Sequence, residues 1–249
     1  MAPIRKGDGT PLEIPGVQEV RSGDGRVFFD GDAIPDTLVD DFEWGGPVGD
    51  RYSEFFGTLD SWSINQNAPV FDGDYSLKFR QEGSSTQAIV SNSGDGLNYY
   101  PEVGDEIWWW AYSEEDGSGR PAFFCFSDSN TNDDMRNHGV GVMWRPSNGR
   151  YVINFNGSFF VVDTTVNTSA DTWHLTRIMS EEDGNGGAEI KVVTHDGPEK
   201  DDDVLEENTL QDSSVQFLDD DSVGFWEGAD QDNHTHGKIV AEQDAGISD

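Results

Sequence analysis

Apolar and polar residues alternate through most of the chain. The segments 75–80 and 87–90 alternate with a period of two, which is typical of strands with one buried face. The segment 105–112 is almost continuously apolar and contains three consecutive tryptophans at 108–110. We therefore expect a central strand whose middle tryptophan faces away from the other two. We also expect this strand to form a hairpin with 122–126.

Further strand-like segments follow at spacings of about ten residues, with turn-forming residues between them. They lie at 62–64, 139–145, 151–155, 159–162, 173–179, 188–194, 222–226 and 237–241. No window has helical periodicity apart from a single turn near 204–210. This pattern predicts an all-β antiparallel sandwich or barrel.

The first 40 residues differ from the rest. They contain Gly-Asp-Gly twice and four prolines, and their apolar pieces at 17–20 and 26–29 are too short to form a core. Such a segment needs a partner, because exposed strand edges pair readily with another chain. We therefore predict an attachment and oligomerisation segment at 1–40 and a sandwich domain at 41–249.

Charge narrows the possible partners. The 249 residues include 49 acidic and 15 basic side chains, for a net charge of −34, with Asp more frequent than Glu. This surface repels phosphate and anionic lipid, so we expect neither nucleic-acid binding nor membrane insertion. The balance resembles that of proteins from extreme halophiles, in which concentrated salt screens self-repulsion. The 29 aromatic residues indicate a folded core, and a single cysteine excludes a disulfide within the chain.

Several motifs together resemble the concanavalin A-like (laminin-G-like) lectin and glucanase sandwich, over about residues 40–243. They are Asp-Asp-Phe-Glu at 40–43, Asp-Tyr-Ser-Leu-Lys-Phe at 74–79, Val-Gly-Asp-Glu-Ile-Trp at 103–108, Trp-His-Leu-Thr-Arg-Ile at 173–178 and Val-Gly-Phe-Trp at 223–226. The resemblance implies a jelly-roll sandwich with a lectin-like face. It is a pattern of strands and turns, so it bears on fold more than on function.

The segment from Ile4 to Asp36 resembles the leader of structural proteins from haloarchaeal tailed viruses. No secretory signal is visible, so we expect synthesis in the host cytoplasm and a final location on the virion surface. The resemblance implies that other virion proteins are partners and that the chain forms a homo-oligomer, a trimer or a pentamer. A host surface glycan is the candidate ligand.

No catalytic arrangement is visible. The glucanase branch carries its carboxylates on one strand as Glu-x-Asp-x-x-Glu, and no apolar strand here has that pattern. A Gly-x-Ser-x-Gly motif is also missing from the sequence. We therefore expect a protein that is not an enzyme.

Two groups of residues are candidate metal ligands, one for a structural Ca²⁺ and one for a different divalent cation. An extended segment at 230–236 would place two carboxylates and two imidazoles on one face, which suits Zn²⁺ or Mn²⁺: Asp230, Asp232, His234 and His236. The alternative is a solvated loop that leads into a last strand at 237–241. Lectin-like jelly rolls often hold Ca²⁺ near their first strand, and the corresponding residues are Asp40, Asp41 and Glu43.

Aromatic residues expected at loops or on outward faces are candidates for a sugar platform, because pyranose rings stack on them. They are Trp44, Tyr99, Tyr100, Trp144 and Tyr151. The alternative is that these rings fill the sandwich or a subunit interface, the role that we expect for Trp62, Trp173 and Trp226.

The sequence thus favours a structural component of a haloarchaeal virus particle, in a tail, a fibre or a capsid surface projection, with a lectin-like domain directed at host glycans. Two alternatives stay open. One is a purely architectural decoration protein that binds no sugar. The other is a halophilic extracellular carbohydrate-binding module or glycan hydrolase.

Overall fold

The computed structural model describes the strands at 19–21 and 27–30 and much of the chain from 35 onward. The described ranges after Pro35 are 37–66, 68–79, 87–92, 94–113, 121–125, 140–145, 150–155, 158–163, 171–182, 188–212, 222–227 and 234–247. The chain divides into two compact units, Met1–Pro35 and Asp36–Asp249. In the first unit, β1 (Glu19–Arg21) and β2 (Val27–Asp30) pair as antiparallel strands.

The second unit contains two antiparallel sheets. The eight-stranded sheet has the order β15 (Val204–Asp212), β14 (Ala188–His195), β13 (Trp173–Glu182), β8 (Glu106–Ser113), β17 (His234–Glu242), β6 (Ser76–Phe79) and β5 (Trp62–Asn65), and β3 (Thr37–Asp40) also pairs with β17. The seven-stranded sheet has the order β12 (Ser158–Asp163), β11 (Arg150–Phe155), β10 (Val140–Arg145), β9 (Pro121–Cys125), β16 (Ser222–Glu227), β7 (Gln87–Asn92) and β4 (Ser53–Phe56).

The fold is therefore an all-β antiparallel jelly-roll sandwich. The alternation predicted a sandwich or a barrel, and the resemblance implied the jelly roll. The described residues contain two single 3-10 turns, Val48–Asp50 and Leu59–Ser61, and no helix in them is long and apolar enough to span a membrane.

Apolar side chains from both sheets meet in one core. From the eight-stranded sheet, Leu77 and Trp109 point inward, and from the seven-stranded sheet, Phe123 and Phe225 do so. The rings of Trp109 and Phe123 stack across the interface with centroids 5.7 Å apart. Because side chains alternate along a strand, the neighbours of Trp109 must face away from this core. Trp108 and Trp110 belong to a separate buried cluster on the opposite face of the sheet, as predicted.

The expected hairpin between 105–112 and 122–126 was wrong. Both edges of β8 are occupied, by β13 and β17, so β9 has no free edge on which to pair with it. The chain instead crosses from one sheet to the other, and β9 pairs with β10 and β16. In jelly rolls, two strands that are consecutive in the sequence often belong to opposite sheets. Alternation within each strand cannot distinguish this arrangement from a hairpin.

The turn expected near 204–210 is instead strand β15, paired with β14 over most of its length. Its Glu207 forms an ion pair with Lys191 of β14 at 3.5 Å. The sandwich unit also begins earlier than residue 41. In β3, Thr37 lies opposite Ala241 and Asp40 lies opposite Ile239, both in β17.

Candidate functional site

Asp40, the first predicted calcium ligand, is a buried carboxylate with three internal donors. It accepts hydrogen bonds from the backbone N–H of Phe42 at 3.0 Å, from Arg51 Nη1 at 3.2 Å and from the Tyr52 hydroxyl at 2.9 Å. Burial raises the pKa of Asp40, while the hydrogen bonds and the charge of Arg51 oppose that rise. The turn gives Phe42 a φ of 62° and directs its ring into the core. Asp40 therefore fixes the turn that starts the sandwich.

The other two predicted calcium ligands are also used within the fold. Asp41 accepts the backbone N–H of Glu43 at 3.1 Å. Glu43 accepts the N–H groups of Asp74 at 2.8 Å and Tyr75 at 2.9 Å, and so ties its own loop to the 73–75 turn. Within the described ranges, no group of three His, Cys, Asp or Glu side chains is arranged to hold a metal.

His234 and His236 are buried in strand β17, so neither belongs to a solvated loop as the alternative interpretation expected. The strand begins three residues before the predicted one. The ring of His236 stacks on Trp62 and Trp109, with centroids 6.0 and 5.8 Å away, and lies 4.5 Å from Phe225. Asp230 and Asp232 lie outside the described residues, so the four-residue metal site stays a prediction.

The predicted sugar platform is spread over separate parts of the sandwich. The Tyr99 hydroxyl donates to Asp105 at 2.7 Å, and burial together with this bond raises the pKa of Tyr99. The Tyr100 hydroxyl donates to the carbonyl of Asn92, and both tyrosines pack against the core. The half-buried ring of Trp44 lies 5.1 Å from the Arg51 guanidinium.

The remaining two platform candidates lie on the seven-stranded sheet. Trp144 and Tyr151 are directly opposite each other in the β10–β11 pair. Their side chains lie outside the described residues.

A different aromatic surface lies on the face of the eight-stranded sheet that points away from the core, which we call the outer face. Trp108, Trp110, Leu175 and Val240 form a buried cluster there, and Phe71 and Trp173 pack against it. The connection 196–203 folds over part of this face, because Trp110 Nε1 donates to the carbonyl of Pro198 at 2.9 Å. Three rings at the edge of the cluster stay partly exposed: Phe71, Tyr112 and Trp173. We call these three the aromatic patch.

The rings of the aromatic patch are in mutual contact. Trp173 lies 5.3 Å from Tyr112 and 5.7 Å from Phe71, measured between ring centroids. Phe71 stacks on Trp110 at 4.5 Å. The patch is packed directly on strand β17, where a Cβ added to Gly237 would lie 2.9 Å from Phe71 Cβ and 3.0 Å from Trp173 Cζ3. A glycine at this point is therefore what lets both rings approach the strand.

Polar groups surround the aromatic patch. Register places Lys78, Thr235, Tyr112 and Trp173 in one row across β6, β17, β8 and β13. The Tyr112 hydroxyl donates to the exposed carboxylate of Asp171 at 3.2 Å. On the other side of the patch, Lys238 forms an ion pair with Asp72 at 3.0 Å.

Two hydroxyls beneath this surface have no hydrogen-bond partner. Thr235 Oγ1 and Ser76 Oγ are both fully buried, and both belong to the outer face because the alternate residues His236 and Leu77 face the core. Buried hydroxyls usually have a partner, and leaving one without costs about 1–3 kcal/mol. This face therefore keeps hydrogen-bonding capacity that the described fold does not use.

A buried charged network lies farther along the same face. Arg177 Nη1 donates to Glu106 Oε1 at 2.7 Å, and Trp108 Nε1 donates to the same oxygen at 2.9 Å. Arg177 Nε also lies 3.2 Å from Nε2 of His195, whose Nδ1 is 3.1 Å from the carbonyl of Asp202. Because Arg177 can only donate, Nε2 must accept and His195 must be neutral, with its proton on Nδ1.

The sequence could not identify the aromatic patch. Trp173 was expected in the interior, because it lies inside an alternating strand. Phe71 lies in a turn-rich segment and gave no signal. The useful clue was Gly237, a glycine within a predicted strand, which often marks a close approach of another group to the backbone.

No protein-family model matches the chain, and no curated protein matches it. Solved structures of similar fold do exist. The GH16 protein of the Bacteroides ovatus mixed linkage glucan PUL, in complex with its G4G4G3G product, has a TM-score of 0.53 at 12% identity, over 82% of this chain and 98% of that one.

Two further structures are more distant. The carbohydrate-binding module CBM66 from Bacillus subtilis has a TM-score of 0.46 at 14% identity, over 77% of this chain and 95% of that one. The marine PL-14 alginate lyase from Aplysia kurodai has a TM-score of 0.46 at 11% identity, over 74% and 88%. At these identities the similarity concerns the fold alone.

Proposed function

We propose that this chain is a non-enzymatic structural component of a haloarchaeal virus particle, in which the sandwich faces outward and contacts host surface glycans. The N-terminal unit attaches the chain to other virion proteins and builds a homo-oligomer. The sandwich supplies the contact surface.

The observation that carries this proposal is the unequal charge of the two units. Residues 1–35 contain four basic and six acidic side chains, whereas residues 36–249 contain 11 basic and 43 acidic ones. A nearly neutral segment can be enclosed in a protein assembly at little electrostatic cost. A strongly acidic unit suits exposure to brine, where concentrated salt screens its self-repulsion.

Glycan contact is supported by the fold and by the aromatic patch. The Bacteroides ovatus structure that shares the fold was determined with a glucan product. Partly exposed aromatic rings with nearby carboxylate and amino groups are the usual means by which proteins hold sugars. Multimolar salt weakens ionic recognition but does not weaken stacking, so this chemistry suits the proposed environment.

We propose that the chain has no enzyme activity because of the surroundings of its carboxylates. Asp40, Asp105 and Glu106 are buried, and each accepts hydrogen bonds from internal donors. A glycosidase needs two carboxyl groups that face one sugar, about 5–10 Å apart. Beside the aromatic patch, Asp72 is ion-paired with Lys238 and Asp171 accepts a hydrogen bond from Tyr112, so both carboxylates are engaged within the fold.

Mass spectrometry of purified haloarchaeal virions tests the location of the protein. We expect peptides of this chain in particles, and its absence from them would overturn the viral assignment.

A glycan array in multimolar salt tests the contact function, because a purely architectural protein would bind no sugar. Release of reducing ends from a bound glycan would instead favour a hydrolase.

A further inference from the structure

We propose that the aromatic patch on the outer face of the eight-stranded sheet is the glycan site, and that it takes an uncharged pyranose ring stacked on Trp173. This inference rests on the glycan contact proposed above and assigns it to a place. The patch consists of Phe71, Tyr112 and Trp173, as defined above.

The patch presents ring faces on which the flat apolar side of a sugar can stack. Trp173 meets Tyr112 at an interplanar angle of 52° and Phe71 at 65°, so the three rings form an angled surface rather than one stack. Each ring is partly exposed, although Trp110, on which Phe71 stacks, is fully buried. A ring supported from below keeps its orientation, so little conformational entropy is lost when a ligand binds.

The hydrogen-bonding groups around the patch match the hydroxyls of a neutral sugar. Asp171 offers acceptors beside Tyr112, and the Lys238–Asp72 pair offers a donor and acceptors beside Phe71. The buried Thr235 hydroxyl lies in the row between Lys78 and Tyr112 and has no hydrogen-bond partner. A hydrogen bond from a sugar hydroxyl to this group would satisfy an otherwise costly buried hydroxyl.

The charges near the patch favour a neutral ligand over an anionic one. Asp171 is exposed and Asp72 is largely so, with Lys238 held by the latter. A uronate or sulfated sugar would meet two carboxylates, and of the two amino groups on this face, those of Lys78 and Lys238, the second is already paired with Asp72. The patch therefore offers no net positive charge to offset the repulsion from its carboxylates at low salt. In concentrated salt this repulsion is screened but no compensating attraction arises. Stacking and hydrogen bonds therefore decide the selection.

The experiment uses the full chain on an array of neutral hexose, hexosamine, uronate and sulfated oligosaccharides in about 3 M NaCl. The variants are Trp173→Ala, which removes the stacking ring, and Asp171→Gly, which removes the carboxylate. Glycine tolerates the left-handed backbone of residue 171, where φ is 56°. The matched control is Leu59→Ala, which removes another half-buried apolar side chain, one that packs against the core cluster rather than against the cluster of the outer face. Thermal melts by circular dichroism confirm that each variant is folded.

We expect the wild type to bind a neutral glycan, Trp173→Ala to bind it about tenfold more weakly and Leu59→Ala to bind it unchanged. Asp171→Gly should weaken binding several-fold, and it decides the matter if Trp173→Ala does not fold. Undiminished binding by Asp171→Gly and Trp173→Ala would overturn this site and leave the proposed glycan contact intact. Preference for uronates would overturn the neutral ligand. A wild type that binds no glycan would overturn both the contact and its site.

Discussion

Arg177 donates its Nε–H to Nε2 of His195 across 3.2 Å, so a partly buried guanidinium holds a neighbouring imidazole in its neutral form. Protonation of His195 would place two cations against each other in a buried setting. Burial, together with the positive charges of Arg177 and Lys200, lowers the pKa of His195 below its ordinary value of 6.5. The stability of the fold therefore depends on pH through His195.

This relationship predicts a loss of stability in acid. Between the lowered pKa and 6.5, the unfolded chain binds a proton at His195 that the folded chain does not. The free energy of unfolding should therefore fall as pH decreases through 6.5. His195→Gln should lose less stability than the wild type between pH 7.5 and 5.5, by about 2–4 °C in Tm in a calorimetric scan at constant high salt. Equal pH slopes for the two proteins would contradict the assignment.

Low salt should destabilise the sandwich, starting at the connection 196–203. This connection carries five carboxylates, at Asp196, Glu199, Asp201, Asp202 and Asp203, and covers Trp110. As the Debye length grows to about 10 Å at 0.1 M salt, their mutual repulsion is screened much less. We expect a red shift of tryptophan fluorescence on dilution from about 3 M to 0.1 M NaCl, before circular dichroism changes. Sucrose should not replace the salt, and a fold indifferent to salt would refute the halophilic assignment.

Gly237→Ala should destabilise the fold. The added Cβ would lie 2.9 Å from Phe71 Cβ and 3.0 Å from Trp173 Cζ3, and both groups are held by the cluster below them. Overpacking of this kind costs about 1–3 kcal/mol, which urea unfolding can measure. Gly49→Ala is the control, because there the new methyl meets the mobile end of Leu59 at 3.2 Å. Equal stability of the two variants would show that the patch can shift.

Asp40 should tolerate loss of its charge better than loss of its shape. Asp40→Ala leaves Tyr52 and the N–H of Phe42 without their acceptor and should cost about 2–3 kcal/mol in urea unfolding. Asp40→Asn keeps an acceptor for Phe42 and removes the cost of burying a charge, so its cost should be smaller. If Ca²⁺ raised the Tm of the wild type but not of Asp40→Asn, Asp40 would be a metal ligand rather than a turn residue.

Alternation predicted most of the strands, although not β4 and β15, and it predicted the division of the tryptophans on β8, because successive side chains along a strand point to opposite faces. It could not predict which strands pair. Segments 105–112 and 122–126 are adjacent in sequence, but β17 and β13 occupy both edges of β8. That pairing depends on residues more than 60 positions away, and no local pattern encodes it.

The site was harder to predict than the fold for a related reason. Tyr99 and Tyr100 are of the residue type that forms sugar platforms, but their hydroxyls donate to Asp105 and to the carbonyl of Asn92. Trp173 has the appearance of a core residue, but the strand is apolar on both faces and its outer face is only partly covered. Exposure of an aromatic ring depends on which loop lies over it, and here that loop begins 23 residues farther along the chain.

The pairing of Thr37 with Ala241 has a practical consequence. The first and last strands of the sandwich unit are neighbours, so the polypeptide enters and leaves that unit at one place. A circular permutant that joins residue 247 to residue 37 through a short linker should therefore keep every strand pair and differ only where the chain is reopened. A domain with this arrangement can be attached through one linker, or inserted into a loop of another protein, without rearrangement of its sheets.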